Sequence, residues 1–203
     1  MIRLRSVVAA TLALALAACA SAPPMHYYTL VTPAATPASS SASAPLRFEL
    51  LPVRIPAQVD QPQLVVRQGE QGVALLNDER WIAPLADEVH SALSADLMQA
   101  LPGQNVSGLP ADGKPVLRIT LDMRRFDSLP GSYALIDAAW SLRLSQPGNG
   151  ATVACTTQIR QPVGAGYDAL VQGHQQALQR LAEQISRVAQ PFAAGQMVAC
   201  PAG

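Results

Sequence analysis

The chain lacks an apolar run long enough to cross a bilayer as a helix, which takes roughly 20 consecutive apolar residues. The N-terminal stretch Val7–Ala18 falls short and is broken by Thr11. An excess of one charge is also missing: 14 Lys and Arg balance 14 Asp and Glu. No basic tract concentrates the positive charge, which excludes the electrostatic footprint of a nucleic-acid binder. Cysteine is scarce, with three in 203 residues. Cys155 and Cys200 are not spaced as a chelating pair, and no histidine lies near either in sequence, which argues against a metal site. There is no G-x-S-x-G elbow, no H-E-x-x-H, no P-loop and no dinucleotide fingerprint. No internal repeat is present, and no cofactor is implied.

What is there begins at the N-terminus. Arg3 and Arg5 form a basic n-region ahead of the apolar stretch, which ends in Leu16-Ala17-Ala18-Cys19. Such a short segment with small residues before its end reads as a signal peptide. The terminal cysteine makes it a lipobox, similar to the substrates of bacterial lipoprotein-processing enzymes. Cys19 is therefore the expected lipidation site and the first residue of the mature chain. By the sorting pattern of known lipoproteins, Ala20-Ser21 after that cysteine implies the outer membrane, with the domain facing the periplasm.

Of the 203 residues, loss of 1–18 leaves 185, suited to one domain with a real core. Loss of Arg3 and Arg5 leaves 12 basic residues against 14 acidic, a formal charge of −2. Cys155 and Cys200 then remain in an oxidising compartment and read first as a disulfide. Closing so long a loop contributes ~2–4 kcal/mol. The alternative is a buried free Cys155 beside a frayed Cys200.

Residues 19–25 form a tether, and 26–203 the domain. Tyr27–Val31 is aromatic and β-branched and reads as a strand. Residues 32–45 hold Pro33, Pro37 and Pro45 among alanines and serines, a composition that cannot build a core. If the Tyr27 strand joins a sheet, this flexible segment is an excursion; otherwise it is a stalk. Leu46–Ile55 reads as a strand broken by Pro52. Leu64–Arg67 and Val73–Leu76 read as a hairpin across Gln68–Gly72. Asn77–Arg80 is polar and turn-like. After Trp81 and Pro84, apolar residues from Leu85 to Leu101 recur at helical spacing until Pro102-Gly103.

From Pro115 the period becomes two. Leu117, Ile119, Leu121 and Met123 share one face, then Ala134–Leu144, then Val153–Ile159 with Cys155 on the apolar side. These form an antiparallel meander. Leu170–Val188 makes a last helical stripe, which Pro191 stops. The expected fold is α+β: a two-layer sandwich with two amphipathic helices on one face of a mostly antiparallel sheet.

Single residues invite sharper readings. His174 on an apolar helix stripe reads as a packed core histidine rather than a base. His90 reads as solvated. Asp78, Glu79, Asp87 and Glu88 invite a carboxylate-pair reading, but a solvated turn and helix start is favoured, where acids also suit the helix dipole.

Three pieces carry a family likeness: Tyr27-Tyr28-x-Leu30; Asp60-Gln61-Pro62-Gln63-Leu64-Val65-Val66-Arg67; and Arg80-Trp81-x-x-Pro84-Leu85. In this order, behind the cysteine, they resemble the auxiliary lipoprotein family of ABC-type transporters across essentially the whole mature chain. Gln61 stands where the family pattern has an arginine. The resemblance implies an outer-membrane subunit of an envelope transport system for lipids or hydrophobic compounds. It also implies partners: an MCE-domain protein reaching across the periplasm and an inner-membrane permease. Further partners are outer-membrane lipid, through the acylated N-terminus, and a homo-oligomer that the sequence leaves open. Tyr27, Tyr28, Asp60, Gln63, Arg67, Arg80 and Trp81 are the partner-binding candidates, with Trp81 reading first as core. Tyr27 and Tyr28 also suit the headgroup level of a membrane. The competing readings are a stand-alone envelope scaffold or assembly lipoprotein, and an envelope hydrolase.

Overall fold

The structure is a computed structural model that describes residues 24–33, 46–145 and 150–201. The signal segment, Cys19, most of the tether and most of the 32–45 segment lie outside the described residues. The elements run β1 (His26–Tyr28), β2 (Leu46–Leu50), β3 (Gln63–Gln68), β4 (Gly72–Trp81), α1 (Leu85–Ala100), β5 (Gly103–Asn105), β6 (Val116–Leu129), β7 (Tyr133–Ser145), β8 (Thr152–Pro162) and α2 (Tyr167–Ala193). The fold is an α+β sandwich, but its strands form two mixed sheets. One has the order β1-β4-β3 and the other β5-β2-β6-β7-β8.

The meander β6-β7-β8 follows from the period-two pattern. Leu117, Ile119, Leu121 and Met123 of β6 are buried, facing Leu144, Leu142, Trp140 and Ala138 of β7. Cys155, Thr157 and Ile159 of β8 continue that face. A bulge between Met123 and Arg125 resets the alternation, so Phe126 and Ser128 turn inward beyond it. A bulge adds one residue and keeps the inward face continuous through the twist. Gly131 takes a positive φ of 73° in the turn to β7, a backbone state that favours glycine.

The helices cover this apolar face. α2 packs on β6, β7 and β8, and α1 packs on α2 and β5. Leu170, Leu178, Leu181 and Ile185 are almost fully buried, as the helical stripe requires. Gly173 is the point of closest approach, where a Cβ would collide with Val163. Pro191 lies inside the final turn, and the helix ends at Ala193. A proline that late deletes only a terminal hydrogen bond, so the helix stops just after it and not at it.

Several local expectations change. The Asn77–Arg80 segment is strand, because its backbone pairs in parallel with β1: His26 with Glu79, Tyr27 with Arg80, Tyr28 with Trp81. A polar run can be a strand where a neighbour satisfies its amides. β1 is therefore a sheet strand, and the Pro/Ala/Ser-rich segment joins two strands. Gly103–Asn105 forms a short strand parallel to β2 where only a helix stop was expected. The longer pairings β3–β4, β6–β7 and β7–β8 are antiparallel, while β1–β4, β2–β5 and β2–β6 are parallel.

Glu88 is buried and not solvated. Its Oε2 accepts from the Thr29 hydroxyl at 2.7 Å and from the Leu30 N–H at 2.8 Å. His90 is half-buried, with Nε2 3.2 Å from the Leu50 carbonyl. In both cases a backbone group arriving from another element supplies the partner that water would have supplied.

Candidate functional site

The β1-β4-β3 sheet gathers most of the family-like residues. Tyr27 lies opposite Arg80, and Arg80 lies opposite Gln63. Directly paired residues project to the same face, so Tyr27, Arg80 and Gln63 make one row across three strands. The next row is Tyr28 and Trp81, which face the core. Trp81 is 5% exposed and packs edge-on against Phe126, with ring centroids 6.1 Å apart. Its backbone N–H donates to the Pro62 carbonyl at 2.9 Å. Trp81 is thus a core residue that fixes the register of the outer row.

Period-two geometry extends this division along β3. Leu64 and Val66 are buried. Gln63, Val65 and Arg67 alternate with them on the other face. Val65 pairs with Leu75 and Arg67 with Val73. Val73 and Leu75 are 58% and 49% exposed, unusual for large apolar side chains on a strand. A cleft of about 160 Å³ opens beside them, lined by Val65, Arg67, Val73, Arg125 and Asp127. Arg67 Nη2 lies 3.2 Å from Asp127 Oδ2, an oxygen that Arg125 also contacts. The Asp127 carboxylate holds the Arg125 guanidinium above its ordinary pKa, against the opposing effect of burial. Two arginines share one carboxylate, so the cleft keeps a net positive charge.

Asp60 is exposed in the Pro56–Pro62 turn, where its N–H donates to the Pro56 carbonyl at 3.2 Å. It stands apart from the Tyr27-Arg80-Gln63 row. Gln61, also in that turn, is half-buried. Arg80 donates from Nε to the Asn77 carbonyl at 3.1 Å. Tyr28 is half-buried, and burial together with the Glu79 and Asp168 carboxylates raises its phenol pKa well above normal. In the five-stranded sheet, Cys155 of β8 forms a disulfide with Cys200, with Cα atoms 5.5 Å apart. It ties the segment after α2 to the edge strand β8.

Sequence reasoning missed one pairing. Ser128 Oγ is 2.8 Å from His174 Nε2, the distance of a nucleophile and its base. Both residues are buried, His174 completely so and stacked on Phe126 at 3.8 Å. Burial lowers its pKa to about 3, so the ring is neutral at physiological pH. Its Nδ1 has no hydrogen-bond partner, so no carboxylate orients it, and Phe126 covers its face. The pair is a polar contact within the core. Among the described residues no group of three His, Cys, Asp or Glu is placed to hold a metal ion. No helix among them is long and apolar enough to cross a membrane.

With this geometry established, comparison with known proteins is decisive. The family model for the ABC-type transport auxiliary lipoprotein component matches residues 28–186. The chain belongs to that family. The match begins at Tyr28, the last residue of β1, and takes in β3, β4 and the Ser128–His174 contact. Two solved structures share the fold. An uncharacterised protein aligns with TM-score 0.62 at 19% identity, covering 81% of this chain and 97% of its own. A Xanthomonas campestris protein aligns with TM-score 0.60 at 16% identity, covering 85% and 99%. A dodecameric PelC from Paraburkholderia phytofirmans aligns with TM-score 0.38 at 11% identity, covering 71% and 91%, too remote to bear on assembly. No curated protein matches the chain. The family is one of transport auxiliary lipoproteins and not of enzymes.

Proposed function

We propose that this auxiliary lipoprotein is held at the outer membrane through Cys19 and docks an MCE-domain protein that reaches across the periplasm. The system would move lipids or hydrophobic compounds, with a permease in the inner membrane. The observation that carries this reading is the exposed face of the hairpin. Val73 and Leu75 project beside Val65 and Arg67 at the β3–β4 end of the small sheet. An apolar centre bordered by arginines is the usual make-up of a protein interface. Family membership supplies the transport context. The MCE partner, the permease and the outer-membrane address rest on the family-like residues and on the Cys19-Ala20-Ser21 sequence.

The test is co-purification of an MCE-type protein with wild type, Val73→Asp, Leu75→Lys and Arg67→Glu, each checked for thermal stability. Val73→Asp and Leu75→Lys should reduce capture strongly while the fold survives, because both side chains are exposed. Arg67→Glu should reduce capture and also cost some stability, since it opposes Asp127. Unchanged capture by the folded variants removes this face from the reading. Failure of the wild type to capture any such protein returns the chain to an envelope scaffold.

A further inference from the structure

The opposite end of the small sheet has a different character. Met25, Tyr27 and Ile82 are 43%, 57% and 61% exposed. They are neighbours: the Tyr27 hydroxyl donates to Met25 Sδ at 2.9 Å, and the Ile82 N–H donates to the Tyr28 carbonyl at 2.9 Å. Arg80 lies beside Tyr27 on the same face. Glu79, between Arg80 and Asp78 in the strand, is largely withdrawn and pairs with His26 at 3.0 Å. A phenol, two aliphatic side chains and a guanidinium on a long stem are the groups that settle at a bilayer interface.

We infer that this end of the small sheet rests on the membrane, with Tyr27, Met25 and Ile82 entering the headgroup layer and Arg80 reaching lipid phosphates. The inference rests on the reading of Cys19 as lipidated. Only Ala20, Ser21, Ala22 and Pro23 separate Cys19 from Pro24, the first described residue. Five residue steps span at most about 17 Å fully extended. The patch is thus tethered within reach of the surface into which the acyl chains insert. The hairpin tip, at the Gly72 end of β4, lies at the other end of the sheet from the β1 pairing at Glu79–Trp81. One sheet would then face lipid at its β1 end and the partner at its hairpin end.

The experiment uses the acylated mature chain, purified from host membranes and reconstituted in vesicles of phosphatidylethanolamine and phosphatidylglycerol. Tyr27→Trp and, separately, Ile82→Trp report on the patch, and Leu109→Trp, also exposed at 58%, reports on a site in the β5–β6 connection. Trp81 and Trp140 are buried and give a constant background. Flotation establishes anchoring, and quenching by brominated lipid establishes contact. The expected result is flotation of all three. Quenching of the added tryptophan at 27 or 82 should be about twofold, with little at 109. Anchored protein in which positions 27 and 82 quench no more than 109 overturns the inference and leaves the anchor intact. Shielding of position 27 that appears only when a partner protein is added also overturns it. Failure to float overturns the anchor reading, and the inference falls with it.

Discussion

Asp96 offers a sharp test of how the two helices meet. It lies on the buried side of α1, 9% exposed, where apart from Glu88 the other buried residues are apolar. Burial, reinforced by the Glu183 carboxylate of α2, raises its pKa from 3.8 to about 6. The sign follows directly. Between pH 4 and pH 6 the folded state keeps a proton that the unfolded chain has lost. Stability therefore falls as pH rises through that window, and the full penalty persists above it. At about 1.4 kcal/mol per pH unit the shift corresponds to an upper bound near 3 kcal/mol. Glu183 is half-exposed at its side chain, so solvent screens its part, and ~1–2 kcal/mol is the better figure. Asp96→Asn keeps the shape and removes the charge. Urea unfolding of both proteins from pH 3 to pH 8 should show Asp96→Asn more stable by ~1–2 kcal/mol at pH 7.5, with the gap closing below about pH 4. A gap independent of pH, or a less stable variant at pH 7.5, refutes the assignment of Asp96 as a strained buried acid.

Other outcomes follow from the same packing. Cys155→Ser with Cys200→Ser should lower stability by ~2–4 kcal/mol, and thiol alkylation of unreduced wild type should find no free cysteine in the mature domain. Trp81→Ala removes the ring packed on Phe126 and should cost ~3–5 kcal/mol, read as a lower melting temperature. Any loss of partner capture by that variant should disappear at temperatures where it is folded. Cys19→Ser should lose incorporated fatty acid and leave the outer-membrane fraction; acylation that persists would remove Cys19 from the lipid anchor.

What the sequence made legible is what local periodicity encodes. The two amphipathic helices, the meander and the hairpin each carry their pattern in consecutive residues, and the structure has them within a few positions. The cysteine pair was legible because the signal segment implied an oxidising compartment. The rest depends on residues that meet from a distance. Glu88 looks like a solvated helix-start acid until Leu30, which precedes it by 58 positions, presents its N–H. Asn77–Arg80 looks like a turn until β1 supplies a parallel partner. Parallel pairing leaves no hairpin signal, because its strands are joined by long crossovers. For that reason the division into two sheets could not be read from the chain. The Ser128–His174 contact was hidden in the same way, its partners 46 positions apart.

The family-like residues make sense only once the small sheet is assembled. In sequence they are three separate fragments. In space, alternate residues of each fragment serve different ends. Tyr28, Leu64, Val66 and Trp81 turn inward and fix the register. Tyr27, Gln63, Arg67 and Arg80 turn outward from the positions that register defines. A slip of one residue along β4 would exchange its two sets, burying Arg80 and exposing Trp81, and a slip along β3 would bury Arg67 and expose Leu64 and Val66. The inner set therefore acts as a register device for the outer one. A residue such as Trp81 can be essential to a docking surface without touching a partner. Capture assays on this sheet must accordingly separate inward from outward substitutions, because only the outward ones report contact.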